Sequence, residues 1–307
     1  MASQRDRIFR SSVILVAVGA LTMGTAGSAS AAEGHREVQQ TVKVVGNGSR
    51  VTVDHSTIQS GSIRFEVSST NPPGKEGGGS NITLFQPHPG KSLDNFFADL
   101  GEEFSQTPAT RAKGTRDLVR DVELYGLADV VPGSPEVVTE RLRPGTYYLM
   151  DLGNPPKGAP ALTVLTVGPD RTSFEQDSDL SSQRRVRATS SDRFVTRRSW
   201  PRSGTYTFTN ASDTMHFMSM IPVKDGTTDA QVQAFFSAPP SSQNGPPPFF
   251  RPQPSVGVGS DVLSPGRSIQ VTYNLPAGSY LLVCFISDDK SGMSHAVMGM
   301  HKVIHLT

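Results

Sequence analysis

The sequence predicts an all-β protein that consists of two tandem copies of one β domain, each with a short helix. The chain has 307 residues, which is enough for two domains of ordinary size. It contains 29 glycines and 23 prolines, a content that suits a turn-rich β protein better than a helical one. Short β-prone runs alternate with turn signals along most of the chain, and their order occurs twice.

The first copy consists of short strands and one helix. Strands are predicted at 41–45, 50–53, 58–67, 81–85, 137–148 (two strands around a turn) and 161–167. Ser92 is the predicted cap of the helix, whose apolar stripe spans residues 93–100. Residues 105–125 are polar, and their pattern predicts neither a helix nor a strand.

The same order of motifs recurs in the second half of the chain. Ser203-Gly204 matches Ser60-Gly61 at the start of a strand, and a helix that opens near Thr228 matches the helix at Ser92. Two further matches pair 261–266 with 129–133 and 275–280 with 142–147. A match over most of both halves indicates a repeated domain.

The first 31 residues are predicted to be a secretory signal peptide. Three arginines precede a short apolar run at 11–23, and Ala29-Ser30-Ala31 fits a cleavage site. The run is shorter than the roughly 20 residues of a spanning helix, so no transmembrane anchor is predicted. We therefore expect a secreted, extracellular protein. Its predicted parts are the signal peptide 1–31, a first domain 36–168, a linker 169–183 and a second domain 184–307.

Charge and motifs exclude several functions. Removal of the signal peptide takes away three arginines and one aspartate and moves the net charge from +1 to −1, which gives no argument for nucleic-acid binding. The chain has no His-x-His pair for a trinuclear copper centre and too few cysteines for a dinuclear one. G-x-S-x-G, HExxH and phosphate-loop motifs are also missing, so the protein is predicted not to be an enzyme.

The stretch 278–306 carries the candidate chemistry. An apolar strand at 280–283 ends at Cys284, the single cysteine, and turn residues at 287–292 lead to His295, Met298 and Met300. One cysteine forms no internal disulfide, so Cys284 is either a metal ligand or an inert buried thiol. Thiol, imidazole and thioether in this order are typical of a mononuclear copper site.

This segment resembles the C-terminal half of a cupredoxin-like domain of the plastocyanin and azurin type. His216, in the run Asn210-Ala-Ser-Asp-Thr-Met-His216-Phe, stands where that family carries its first histidine. The resemblance implies two tandem Greek-key cupredoxin-like β-sandwiches and copper-dependent electron transfer. It implies that His216, Cys284, His295 and Met300 bind one copper ion in the second domain, with Met298 as the alternative axial ligand.

Two comparisons bear on this copper site. Ten residues separate Cys284 from His295, whereas familiar blue-copper loops have a few, so the chain would have to leave the site, turn at 288–292 and return. In the first copy the corresponding positions carry residues that make no soft copper site, so that copy is predicted to be metal-free. These residues are Ser80, Asp151, Pro160 and Leu165.

An arginine-rich run follows the linker and contains Asp192 as its one acidic residue. We expect either a surface that docks a redox partner or an anionic envelope component, or a solvated edge strand whose charge prevents aggregation. The arginines are Arg184, Arg185, Arg187, Arg193, Arg197, Arg198 and Arg202.

Three functions remain open from the sequence. The first is copper binding with electron transfer or copper carriage by the second domain. The second is a metal-free secreted interaction module in which Cys284 is buried. The third is a copper-scavenging protein that binds through methionine and histidine and transfers no electrons.

Overall fold

The structure is a computed structural model that describes residues 40–72, 78–153, 160–169, 184–239, 245–251 and 258–307. Eighteen strands and four helices lie in these ranges. The signal peptide and all but the first residue of the linker lie outside the described residues. The domain boundaries therefore stay predictions. Among the described helices, none combines the length and apolarity that crossing a membrane requires.

The first repeat contains nine described strands and two helices. The strands are β1 (Gln40–Gly46), β2 (Val51–Val53), β3 (Thr57–Gln59), β4 (Gly61–Ser69), β5 (Ser80–Pro87), β6 (Val122–Val130), β7 (Glu136–Leu142), β8 (Gly145–Asp151) and β9 (Thr163–Gly168). The helices α1 (Leu93–Glu103) and α2 (Pro108–Asp121) both lie between β5 and β6.

The second repeat has the same plan in its described residues. Its strands are β10 (Arg184–Thr189), β11 (Arg193–Val195), β12 (Ser199–Trp200), β13 (Ser203–Ala211), β14 (His216–Val223), β15 (Val258–Leu263), β16 (Ser268–Asn274), β17 (Gly278–Val283) and β18 (His301–Leu306). Helix α3 (Asp229–Phe236) lies between β14 and β15, and the single-turn helix α4 (His295–Met298) lies between β17 and β18.

The two repeats match strand by strand. One sheet has the order β11-β10-β13-β16-β7-β4-β1-β2, and the other has the order β12-β18-β17-β14-β15-β6-β5-β8-β9-β3. In each repeat the first strand pairs in parallel with the fourth, as β1 does with β4 and β10 with β13. The predicted tandem β-sandwich fold is therefore confirmed.

The core lies between the inner faces of the two sheets. Along β4, Ile63, Phe65 and Val67 are fully buried and alternate with partly exposed residues, because side chains of a strand point to opposite faces. Ile82 and Leu84 of the opposite sheet belong to the same hydrophobic cluster. This alternation is the pattern that the sequence shows at 58–67.

The helices of the first repeat differ from the prediction of one short helix per copy. Helix α1 is the predicted helix, with a capping box between Ser92 and Asn95. Most of the polar stretch 105–125 forms a second helix, α2, whose Thr115 and Leu118 are buried. A Cβ atom added at Gly114 would lie 2.3 Å from the backbone nitrogen of Glu103, so glycine permits the close contact of the two helices. This packing, which the sequence pattern does not reveal, stabilises α2.

The sheets continue from one repeat into the other. Strand β16 pairs with β7, and β15 meets β6 at the pair Leu263 and Tyr125. Arg267 donates to the buried carboxylate of Glu140 at 2.9 Å, and its guanidinium lies 4.0 Å from the centre of the Tyr125 ring. This charge pair and the shared strands connect the two repeats, so that the helices of the first repeat lie against the segment between β17 and β18 of the second.

Candidate metal centre

Cys284 lies directly after β17, an interior strand of its sheet. The preceding residue, Val283, pairs with Ser219 on one side and with His301 on the other. The backbone N–H of Cys284 donates to the carbonyl oxygen of Met300 at 3.3 Å, and that of Met300 donates to the carbonyl oxygen of His295 at 2.8 Å. These bonds close the segment 284–300 into a loop.

The structure brings Cys284 and both predicted histidines together. The Cys284 Sγ atom lies 3.8 Å from Nδ1 of His216 and 3.7 Å from Nδ1 of His295. All three side chains are fully buried, and one ligand atom of each lies within 4.8 Å of the others. They come from the start of β14, the end of β17 and the start of α4. Three of the four predicted ligands thus meet at one point.

The spacing of these atoms suits a metal ion. A sulfur at about 2.3 Å and a nitrogen at about 2.05 Å from one first-row metal, at a trigonal angle, lie about 3.8 Å apart. The observed separations of 3.8 and 3.7 Å agree with that value. One thiolate with two imidazoles is the donor set of a trigonal blue-copper site. The residues present therefore fit copper.

Burial keeps the His216 imidazole neutral. Desolvation, with a smaller contribution from the nearby His295, lowers the pKa of His216 to about 2. Neutral imidazole is the form that binds metals. Nε2 of His216 is buried and has no hydrogen-bond partner within the described ranges. A neutral ring has one nitrogen without a proton, and Nδ1 is the nitrogen that faces Cys284.

The two candidate axial methionines have different surroundings. Met300 is fully buried, directly before β18, and its backbone is hydrogen-bonded to both Cys284 and His295. Met298 is partly exposed, and its sulfur accepts from the Ser291 hydroxyl at 3.9 Å. Of the two methionines, Met300 is thus the one that is fully buried and bonded through its backbone to both Cys284 and His295.

The ten residues between Cys284 and His295 leave the site and return to it. Ser287 and Ser294 form a β-bridge, and the backbone N–H of His295 donates to the carbonyl oxygen of Ile286 at 2.9 Å. At the tip, the Asp288 carboxylate accepts from the backbone N–H groups of Lys290 and Ser291 at 3.2 and 2.5 Å. The segment between Cys284 and His295 is therefore a hairpin, and its two ends keep Cys284 and His295 close together.

This hairpin contacts the first repeat. The Ser287 hydroxyl donates to the carboxylate of Glu103, at the end of α1, at 2.9 Å. In α2, Arg111 donates to the carbonyl oxygen of Gly292 at 3.0 Å, and Arg116 donates to that of Asp289. The ligand loop is therefore attached to the helical hairpin of the other repeat. No local sequence signal predicts these contacts, because the partners are far apart in the chain.

The turn between β10 and β11 covers the other side of His295. Asp192 Oδ1 lies 3.7 Å from His295 Nε2, and Arg193 donates to the carbonyl oxygen of Met298 at 2.9 Å. In the sequence, Asp192 stands out only as the single acid of the arginine-rich run. That isolated charge is the one signal that could have drawn attention to it.

The corresponding position in the first repeat is filled by hydrogen bonds. Asp151, which occupies the place of Cys284, is fully buried and accepts from the backbone N–H groups of Gly48 at 2.7 Å, Asn81 at 3.2 Å and Gly153 at 2.9 Å. Ser80, in the place of His216, also donates to Asp151 and lies 2.8 Å from the Ser69 hydroxyl. Here a carboxylate with backbone donors stands where the second repeat has a thiol with two imidazoles.

The arginine-rich run forms strands at the end of the first sheet. Arg185 and Arg187 are exposed on β10, and Arg197 is exposed after the edge strand β11. Arg198, also exposed, forms an ion pair with Asp229 at 2.8 Å. Arg184 is partly buried. The run is thus a charged surface beside an edge strand. This position is consistent with both a docking surface and a solvated edge strand.

Comparison with known proteins gives structural matches alone. No family model matches the chain, and no curated protein matches it. An auracyanin from Roseiflexus castenholzii matches 40% of this chain and 94% of its own, with 21% identity and a TM-score of 0.26. A multicopper oxidase from Campylobacter jejuni matches 87% and 64%, with 8% identity and a TM-score of 0.24. A copper nitrite reductase from Nitrosomonas europaea matches 88% and 94%, with 13% identity and a TM-score of 0.21.

The prediction that the chain is not an enzyme is corrected by this comparison. The oxidase and the nitrite reductase are enzymes by name, and their matches extend over 87% and 88% of this chain. The lack of hydrolase and oxidase motifs therefore does not exclude an enzyme with this fold. The nine-strand plan occurs twice, and His216, Cys284 and His295 meet in its second copy, which is the tandem β-sandwich arrangement that the resemblance implied.

Proposed function

We propose that this protein is exported and binds one copper ion, which His216, Cys284, His295 and Met300 would hold, and that it transfers electrons or carries copper. The observation that carries the proposal is the convergence of the Cys284 sulfur and two Nδ1 atoms, 3.7 and 3.8 Å away, at a fully buried point. Copper would supply one-electron redox chemistry at this point.

The side chains would each have a separate task. The Cys284 thiolate and the two imidazoles would hold the ion, and the thioether of Met300 would adjust the relative stability of its oxidation states. Burial of all four side chains excludes water. The many hydrogen bonds around the loop would keep the donor atoms in place while the charge of the ion changes, which favours rapid electron transfer.

A copper titration of the purified protein tests this proposal. We expect one equivalent of Cu(II) to bind and to produce an intense visible thiolate-to-copper absorption. Cys284→Ser should remove the absorption, since the hydroxyl that replaces the thiol gives no such transition. Thermal unfolding of the metal-free variant serves as the control for folding.

The other outcomes point to the alternatives. Copper binding that survives Cys284→Ser without the absorption would indicate methionine and histidine carriage. An absence of binding would leave the metal-free interaction module. That module is consistent with the same distances, because a thiol can share hydrogen bonds with two imidazoles at 3.7 and 3.8 Å.

The exposed arginines of β10 and the segment after β11 would be the docking surface of an electron-transfer complex. Arg185, Arg187 and Arg197 present positive charge on the same repeat as the metal centre. An anionic redox partner or envelope component would be attracted to them over a Debye length of about 8 Å at physiological salt. Association should therefore weaken as the salt concentration rises.

A further inference from the structure

The imidazole of His295 has a neighbour on each of its two nitrogen atoms. Nδ1 faces the Cys284 sulfur at 3.7 Å, and Nε2 faces Asp192 Oδ1 at 3.7 Å. The ring is fully buried, so the turn between β10 and β11 covers its outer nitrogen. Asp192 reaches it from a strand pair that contributes no predicted metal ligand.

A second carboxylate, that of Asp288, also lies close to His295. Its Oδ1 atom already accepts from the backbone N–H groups of Lys290 and Ser291 and from the Ser291 hydroxyl. Asp288 therefore holds the tip of the ligand loop. Asp192, by contrast, directs its Oδ1 atom at the imidazole.

The backbone around Asp192 has an unusual conformation. Asp192 has φ +54°, and it is the one non-glycine residue with positive φ in the part of the chain that the structure describes. Aspartate and asparagine tolerate this left-handed region better than most residues, at a modest energetic cost. The turn accepts that conformation and thereby places the carboxylate over the histidine.

The next residue fastens the same turn to the ligand loop. Arg193 donates to the carbonyl oxygens of Met298 at 2.9 Å and of Asp192 at 2.8 Å. Its guanidinium lies so close to Gly299, which has φ +105°, that an added Cβ atom would be 3.0 Å from it. The turn thus contacts both ends of the segment 295–299, and Asp192 has little freedom to move away from His295.

We propose that Asp192 is a positioning residue for the metal centre: its carboxylate accepts the Nε2 proton of His295 and so keeps Nδ1 unprotonated and directed at Cys284. The proposal rests on the copper site proposed above. The observed 3.7 Å is longer than a hydrogen bond, so the proposal requires the carboxylate and the ring to approach by about 0.5 Å or more. Carboxylates that bind the second nitrogen of a ligand histidine fix its tautomer and raise metal affinity about 10–100-fold.

The first test uses the metal-free full-length mature chain. Long-range ¹H–¹⁵N spectra of the imidazoles report which nitrogen of His295 carries the proton, and His295→Gln assigns its signals. We expect the Nε2–H form in the wild type and a shift toward the Nδ1–H form in Asp192→Gly, because glycine keeps the positive φ but removes the acceptor. Asp192→Asn retains an oxygen acceptor and should restore the Nε2–H form.

The second test measures copper affinity of the same variants by competition with a chelator of known affinity. Asp192→Gly should bind copper 10–100-fold more weakly than the wild type, and Asp192→Asn should recover part of the loss. Ser191→Ala, an exposed substitution in the same turn, is the matched control and should change neither readout.

Two results would overturn the proposal. One is that the His295 tautomer is unchanged in Asp192→Gly. The other is that the wild type binds copper and Asp192→Gly binds it with the same affinity. If the wild type binds no copper, the proposed function fails, and the tautomer spectra still decide whether Asp192 positions His295.

Discussion

At the scale of single residues, position along the loop decides what each sulfur atom contacts. Met298 is the last residue of the single-turn helix α4, and its sulfur contacts Ser291 near the surface. Met300 follows the left-handed Gly299, which reverses the chain and buries the next side chain completely. Two residues of separation therefore place two chemically identical thioethers in different environments.

These surroundings predict different effects of matched substitutions. Met300→Leu should keep the copper absorption and raise the reduction potential by on the order of 60 mV, a tenfold change for a one-electron couple, because a donor to Cu(II) is lost. Met298→Leu should leave the potential unchanged. Voltammetry of both variants measures the effect, and equal shifts in the two would argue against Met300 as the axial ligand.

The same position also has opposite chemistry in the two repeats. Cys284 is a soft donor beside two imidazoles, whereas Asp151 is a hard carboxylate that accepts from three backbone N–H groups. Both arrangements fill a buried site at the end of equivalent strands. The fold thus supports either a candidate metal centre or a hydrogen-bonded network, and the side chains select between them.

At the scale of structural elements, the long loop between Cys284 and His295 connects the candidate metal centre to the helical hairpin of the first repeat. Glu103 at the end of α1 accepts from Ser287, and Arg111 in α2 donates to Gly292. Gly114 lets α2 approach Glu103 closely, which fixes where the carboxylate lies. The first repeat thus supports the loop whose two ends carry Cys284 and His295.

This contact predicts an effect across the two repeats. Glu103→Ala should lower copper affinity about tenfold, because the loop that has lost its contact with Glu103 must be ordered when the ion binds. A tenfold change corresponds to about 1.4 kcal/mol. Chelator competition measures the affinity. Asp94→Ala, an exposed acid at the other end of the same helix, is the control and should bind copper as the wild type does.

Thermal unfolding of the metal-free variants separates a loop effect from general instability. Glu103 is buried, so some loss of stability is expected in Glu103→Ala. An affinity that stays at the wild-type value despite the lost contact would show that the first repeat does not order the ligand loop.

At the scale of the whole molecule, buried carboxylates lie where the two repeats meet. Asp261 of β15 accepts from Thr83 and Asn81 of β5, and Glu140 of β7 pairs with Arg267. Burial raises the pKa of Asp261 from its ordinary 3.8 to about 6, although these hydrogen bonds oppose the rise. The folded state, in which the two repeats meet at Asp261, is therefore more stable when Asp261 is protonated.

This raised pKa predicts that stability falls as the pH rises. The folded-state pKa of Asp261 is above the unfolded value, so its contribution is complete below about pH 4 and is lost as the pH passes about 6. The loss is at most about 3 kcal/mol at 1.36 kcal/mol for each pKa unit. Denaturant unfolding from pH 4 to 8 should show the wild type losing stability relative to Asp261→Asn. If the difference in stability between the wild type and Asp261→Asn does not change with pH, the pKa of Asp261 is not raised in the folded state.

The repeat, most of the strands, the capped helix α1 and the residue types of the candidate centre could be predicted from the sequence alone. These features are local: alternation of buried residues sets a strand, Ser92 with Asn95 sets a helix start, and the donor atoms of Cys284 and His295 are properties of the side chains. Helix α2 escaped prediction because its polar sequence is stabilised by packing against α1 rather than by its own pattern.

How the side chains of His216, Cys284 and His295 come together, and which residues surround them, depends on the tertiary structure. His216 and Cys284 are 68 positions apart in the chain, and their contact depends on the pairing of β14 with β17. The long spacing to His295 has its explanation in contacts with the first repeat, and Asp192 reaches His295 through a turn on the other sheet. Such contacts depend on the register of distant strands, which a single sequence does not specify, because register is set by the packing of the complete sandwich.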